Sequence, residues 1–229
     1  MEWLTSTALL AWGFLLLCRA GFWRADQRLP RGLAPLADAP EVVAVIPARD
    51  EAETIAEVMR AHAASAYPGA FSVVLVDDGS SDGTARLAAD ATRNAARPVR
   101  ILEGAALPDG WSGKLWALDQ GVRRAEEMAP GARWLLLTDA DIVHGRDTLA
   151  RLVAHGEEQG LAMVSLMARL DCRGLWGRLL VPAFVFFFQK LYPFPMVNDP
   201  ESSVAGAAGG CVLIRREALE QIGGIAAIR

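Results

Sequence analysis

The sequence predicts an α/β fold in which helices cover both faces of a mostly parallel sheet. Three observations predict it. Short β-branched runs alternate with stretches of about 10 to 15 residues that carry helical spacing, as in successive βαβ units. The runs are apolar on both faces, as a sheet covered on both sides requires. The 229 residues suffice for one full domain of this kind, with a sizeable core and an appendage.

The appendage comes first. The stretch "WLTSTALLAWGFLLLC" (residues 3–18) carries no charge. As a helix it reaches about 24 Å, a little short of a ~30 Å hydrocarbon core. Arg19 can snorkel, and Phe22 and Trp23 suit the interface, so a transmembrane anchor is expected over residues 1–24. A cleaved signal peptide fits poorly, because no Lys or Arg precedes the run and no small-x-small site follows it. A buried core helix is the other reading. Arg19, Arg24, Arg28 and Arg31 all follow the run, so the positive-inside rule places the remainder of the chain in the cytoplasm. Residues 25–40 lack periodicity and contain Pro30, Pro35 and Pro40, which reads as a linker. The α/β domain then occupies residues 41–229.

Within it, "EVVAVI" (41–46) is the first strand, ended by Pro47. Ile55, Val58, Met59 and His62 give residues 51–65 one apolar helical face. "SVVLV" (72–76) is the second strand, and the helix beginning near residue 81 takes Ser80 or Ser81 as its cap. A strand at 99–102, a helix at 114–129, a strand at 133–137, a helix at 147–158 and an apolar run at 161–166 continue the alternation. The ten apolar residues "LLVPAFVFFF" (179–188) are too few to span a bilayer and contain Pro182. They read as an interfacial or re-entrant helix, or as a buried helix beneath a soluble site.

Composition excludes several classes. With 27 acidic against 23 Lys and Arg residues, the chain lacks the basic stripe of a nucleic-acid binder. Cys18, Cys172 and Cys211 are odd in number and widely spaced, which argues against a disulfide framework or a zinc site and fits a reducing compartment.

In parallel sheets ligands bind beyond the carboxyl ends of the strands. Three acidic clusters fall there: "PARDE" after the first strand, "DDGSSDG" after the second and "DAD" after the fourth. A solvated loop is the plain reading of any one of them, but not of three on one edge. Asp139 and Asp141 lie two apart, so on extended backbone they share a face and repel unless a cation sits between them. Mg²⁺ or Mn²⁺ is held by one or two such carboxylates, with waters and substrate phosphates filling the other positions. Asp77 or Asp78 could instead accept an N–H bond from a nucleobase, and Gly79 and Gly83 allow the backbone to turn closely there. Asp82 reads as helix-start chemistry. Lys114, in "GWSGKLWALDQG", could set a positive charge near a diphosphate or simply open an amphipathic helix. It does not belong to a Walker A loop, since Pro108 and Leu115 occupy the positions of that motif's first glycine and its Ser/Thr. His144 could add a metal ligand, although such a histidine is more often structural.

Five stretches, "VVAVIPARDEAETI", "VVLVDDGSSDGTA", "GWSGKLWALDQG", "LLLTDADIVH" and "AGGCVLIRREALEQIGG", occur in this order. Together they resemble the GT-A, family-2 glycosyltransferases over residues 41–224. The tryptophan-rich stretch and the apolar N-terminus look most like the hopanoid-biosynthesis-associated branch. The resemblance implies a Rossmann-like GT-A domain that transfers a sugar from a nucleotide-diphosphate donor, with UDP the expected carrier, by an inverting mechanism. It implies that Asp139 and Asp141 bind the metal and through it the diphosphate, and that Asp78 contacts the base. Pro47, Ala48 and Glu51 would surround the nucleoside, Lys114 would lie near the donor, and Gly209 and Gly210 would form the small-residue turn beside the sugar. A lipid acceptor follows from the anchor and the aromatic segment at residues 184–194, which would keep the site near a bacterial-type inner membrane. The family's catalytic base is expected beyond Arg229, where the chain stops, so it is expected to be C-terminally incomplete; Glu201 is a weak substitute. The rival readings are a membrane-anchored, non-catalytic nucleotide-sugar binding module, an Asp-x-Asp phosphatase, and a dinucleotide-dependent oxidoreductase. The phosphatase would carry its pair on the first strand, and the oxidoreductase would need a G-x-G-x-x-G that is absent.

Overall fold

The computed structural model describes residues 2–30, 32, 36 and 38–229. Part of the expected linker, residues 31, 33–35 and 37, lies outside the described residues, and so does the Arg31 counted among the basic flank. In chain order the elements are α1 (Glu2–Cys18), a 3-10 turn (Phe22–Arg24), β1 (Val42–Ala48), α2 (Ile55–Ala63), β2 (Phe71–Asp77), α3 (Thr84–Thr92) and β3 (Val99–Glu103). Then follow α4 (Gly113–Met128), β4 (Trp134–Thr138), α5 (Thr148–Glu158), β5 (Met163–Ser165), α6 (Gly174–Leu191), α7 (Phe194–Val197), β6 (Cys211–Arg215), α8 (Arg216–Gln221) and a 3-10 turn (Ile225–Ile228). They pack as two units: residues 29–168 with 208–229, and residues 1–28 with 169–207.

The larger unit is a six-stranded sheet in the order β3-β2-β1-β4-β6-β5. Strands β3, β2, β1 and β4 run parallel, and β6 runs antiparallel to both β4 and β5. The sheet is therefore mixed but mostly parallel. Successive residues of β1 point to opposite faces. Val42, Ala44 and Ile46 join a core with Ile55, Val58 and Met59 of α2 and Leu149, Leu152 and Val153 of α5. Val43 and Val45 join the other core, with Ala117, Leu118 and Val122 of α4. Helix α4 comes close because residue 121 is glycine: a Cβ there would lie 2.3 Å from Cγ1 of Val45.

Two local expectations are corrected. The first strand does not end at Pro47 but runs through Ala48. Its ladder to β4 stops at Val45, so beyond that point it pairs only with β2 and tolerates a residue without an N–H. The antiparallel β6 was not anticipated as a strand, although "CVLIR" has the composition of one.

The smaller unit also revises an expectation. Helix α1 has 17 residues, about 25 Å of rise, and none of its residues is buried. It does not extend through Phe22 and Trp23, because Ala20 (φ 50°) and Gly21 (φ 59°) are left-handed and turn the chain. Phe22 is buried with its ring 5.2 Å from that of Phe186, and the Trp23 indole N–H donates back to the Leu16 carbonyl at 3.1 Å. Among the described residues, no helix is long and apolar enough to cross a membrane. Arg19 instead donates to the carbonyls of Lys190 and Leu191, at 2.8 and 3.2 Å, satisfying groups that the end of α6 leaves open. Helix α6 has 18 residues and continues through Pro182. The three cysteines are free, and burial pushes the Cys211 thiol up to about 11.

Candidate functional site

The register Ala48↔Asp77 brings the loops after β1 and β2 out of the sheet side by side, and cross-bonds then fasten them together. Asp50, left-handed at φ 53°, donates its N–H to Ser80 Oγ at 3.0 Å. Its carboxylate accepts from the Ser81 N–H at 2.8 Å and from the Ser81 hydroxyl at 3.2 Å. The Glu51 N–H donates to Thr84 Oγ1 at 2.8 Å, and the Ala52 N–H donates to Asp82 Oδ2 at 2.9 Å. Both serines are thus committed to the neighbouring loop, and neither caps α3. Gly83 (φ 88°) takes the cap position, while Asp82 accepts from the Thr84 N–H and hydroxyl at 3.0 and 2.6 Å. That hydroxyl bond first, and the Ala52 amide next, hold the Asp82 carboxyl below the usual range.

Asp78 stands just beyond β2. Its N–H donates to the Ala48 carbonyl at 2.8 Å, and Arg49 Nη1 lies 3.4 Å from its Oδ2. Two glycines wall the slot around it. A Cβ at Gly113 would lie 2.8 Å from Asp78 Oδ2, and one at Gly104 would lie 3.4 Å from Asp78 Cα. The Asp78 side chain nevertheless stays 16% exposed, enough for a small donor group to reach it. Its neighbour Asp77 is buried, with Oδ1 unpaired.

Asp139 follows β4. Its N–H donates to the Gly210 carbonyl at 3.1 Å, and the same carbonyl accepts from the Thr138 hydroxyl at 3.0 Å. Thr138 already gives its hydrogen to Gly210, so His144 Nε2, 2.9 Å from Thr138 Oγ1, is the donor of that contact. His144 therefore braces the loop and is not directed at the carboxylates as a metal ligand. Burial lowers its pKa to about 4. His62, whose ring lies 4.8 Å from that of His144, is lowered to about 3, by burial first and then by His144. Lys114, in the first turn of α4, places Nζ 2.5 Å from Asp139 Oδ1. An ammonium therefore stands beside Asp139 in this structure. Asp141 is exposed. A Cβ on Gly210 would lie 2.6 Å from Cδ1 of Ile142 and 3.4 Å from Asp139 Oδ2, whereas Gly209 faces open space.

Of the remaining expected residues, Pro47 and Ala48 end β1, with Ala48 buried in the core, and the Glu51 carboxylate accepts from the Thr54 hydroxyl at 3.1 Å. Glu201 belongs to the smaller unit. Among the described residues, no group of three or more His, Cys, Asp or Glu is arranged to hold a metal. A cleft lined by Arg133, Arg215, Arg216 and Glu217 opens at the opposite end of the strands and contains none of these residues. Sequence reasoning missed Arg49, Gly104 and Gly113 around Asp78. A Gly preceding Lys114 in "WSGKLW" was the only local signal.

Residues 43–223 match the sequence model of the family described as Glycosyl transferase family 2. The curated proteins hold no match to the chain. Among solved structures it is similar to the mannosyltransferase PcManGT from Pyrobaculum calidifontis, in complex with GDP-Man and Mn²⁺: TM-score 0.63 and 23% identity, over 96% of this chain and 57% of that one. It is similar to S. aureus TarS 1–349, with TM-score 0.57 and 18% identity over 79% of this chain and 48% of that one. It is also similar to mannosyl-3-phosphoglycerate synthase from Rubrobacter xylanophilus, with TM-score 0.50 and 23% identity over 78% and 54%. The chain thus spans about half the length of these structures. What it shares with them is the fold, an α/β, GT-A-like arrangement.

Proposed function

We propose that this chain, which belongs to glycosyl transferase family 2, transfers a sugar from a nucleotide-diphosphate donor, with UDP as carrier, to a lipid acceptor. The observation that carries the reading is the carboxyl edge of the sheet. There a narrow Asp78 slot and an Asp139–Lys114 pair, backed by the narrow turn at Gly210, line loops from parallel strands. Asp78 accepts an N–H bond from the base. Asp139 and Asp141 hold Mg²⁺ or Mn²⁺, which supplies charge neutralisation to the departing diphosphate. Lys114 adds a point charge beside it. The Gly210 turn keeps side-chain bulk away from Asp139. Pro47 and Ala48 end β1, Glu51 lies on the loop that follows, and Gly209 leaves open space beside Gly210. An inverting transfer also needs a carboxylate to deprotonate the acceptor hydroxyl, a role assigned to no residue of this chain. PcManGT, the structural relative solved with GDP-Man and Mn²⁺, supports a metal-assisted nucleotide-sugar site and makes GDP the carrier to test against UDP.

The lipid acceptor and a place at the cytoplasmic face of a bacterial-type inner membrane rest on the smaller unit. Trp3, Leu9, Leu10, Trp176, Leu179 and Phe187 are all exposed, an apolar display that suits a bilayer surface. The assignment to the hopanoid-associated branch rests on "GWSGKLWALDQG" and the apolar N-terminus. The donor site is tested by Asp141→Asn, which should abolish the dependence of UDP binding on Mn²⁺. Unchanged UDP affinity with Mn²⁺ present would contradict the assignment.

A further inference from the structure

We propose that Lys114 occupies the metal's place at Asp139 in the donor-free protein, so that metal and nucleotide bind together and not independently. The inference rests on the donor-site reading above and deepens it. Nζ of Lys114 stands 2.5 Å from Asp139 Oδ1. That oxygen is the kind of hard ligand a divalent cation requires, and the ammonium holds it. A lone metal ion would have to displace Lys114 and then share the site with its charge. Little would repay this, because no cluster of three or more acidic or imidazole ligands exists among the described residues.

A diphosphate changes the balance. Lys114 sits on a flexible four-carbon stem in the first turn of α4, with its side chain 54% exposed. It can swing to a phosphate oxygen without disturbing the helix, which frees Asp139 for the cation. Asp139 does not depend on Lys114 for its position, since its backbone is fixed to the Gly210 carbonyl at 3.1 Å and Thr138 is bonded to the same carbonyl at 3.0 Å. Removing Lys114 therefore uncovers the carboxylate and leaves the loop in place.

The test compares the full chain with Lys114→Met and Lys114→Arg. Free Mn²⁺ is read by electron paramagnetic resonance without nucleotide, and UDP and GDP affinity is read by calorimetry with Mn²⁺ in excess. Losing a partly exposed ion pair should tighten binding of Mn²⁺ alone by about two- to fivefold in Lys114→Met. Losing a charge-assisted bond to the diphosphate should weaken nucleotide binding by about tenfold or more. Lys114→Arg should lie between wild type and Lys114→Met on both readouts. Opposite signs are the signature, because a merely structural lysine would lower both affinities. Equal Mn²⁺ retention by wild type and Lys114→Met, including none by either, overturns the inference. So does a change of the same sign in both readouts. A wild type that binds no nucleotide contradicts the donor-site reading instead, and the nucleotide-free Mn²⁺ comparison still decides the claim about Lys114.

Discussion

Replacing Gly113 with alanine would put a methyl group into the wall of the Asp78 slot. The new Cβ would lie 2.8 Å from Asp78 Oδ2, and ordinary contact begins near 3.4 Å, so the carboxylate must retreat by about 0.6 Å or rotate away. Arg49, 3.4 Å from the same oxygen, is exposed and would follow it. A hydrogen bond to a charged acceptor is worth about 1.5–3 kcal/mol. Misplacing the acceptor should forfeit at least half of that, roughly a five- to tenfold loss of nucleotide affinity. The fold should not suffer. Gly113 opens α4 and is not among the glycines with positive φ, so alanine is compatible with its backbone and is the better helix former. Calorimetric titration with UDP and Mn²⁺, paired with thermal unfolding, reads both effects. Affinity within twofold of wild type in a folded variant would refute the argument that the slot serves the base. A large fall in melting temperature would show that the glycine serves packing instead.

Two further outcomes are expected. His62 and His144 have folded pKa values lowered to about 3 and about 4, while an unfolded histidine titrates near its ordinary value of about 6.5. Below 6.5 the unfolded state therefore binds more protons, so their contribution to stability is complete above that pH and is lost as pH falls toward 4 and then 3. Urea unfolding at pH 7 and pH 5 should show the lower midpoint at pH 5, with His62→Phe reducing the difference; equal midpoints would contradict the buried neutral pair. For the smaller unit, the full chain should float with liposomes containing anionic lipid. Leu9→Asp with Leu10→Asp should lower the bound fraction more than tenfold, since burying each leucine is worth about 1.5–3 kcal/mol. Flotation indifferent to both substitutions would contradict membrane contact by α1.

The legible parts of the fold were those fixed by local pattern. The Ile55, Val58, Met59 and His62 face of α2 is buried as its spacing requires, and the acidic loops fall at one edge because parallel strands bring their carboxyl ends together. What could not be read depended on partners distant in sequence. β6 runs antiparallel to β4 and β5, between which it lies, and nothing in "CVLIR" states its direction. Ser80 and Ser81 are good capping residues, yet Asp50 on another loop engages both, and the helix start passes to Asp82 and Gly83. The N-terminal run is apolar enough to suggest a span, but its helix ends where Ala20 and Gly21 turn left-handed. At the site, Asp78, Lys114, Asp139 and Gly210 could each be named from motifs. That Lys114 pairs with Asp139, and that Gly113 walls Asp78, became visible only when α4 was packed against the sheet.

The most direct test of the donor site is calorimetric titration of the full chain with UDP, with and without Mn²⁺, and with GDP in parallel. Saturable binding that requires Mn²⁺, favours UDP and disappears in Asp139→Asn is the expected result. No nucleotide binding by a folded sample, or binding indifferent to both the metal and Asp139, would contradict it.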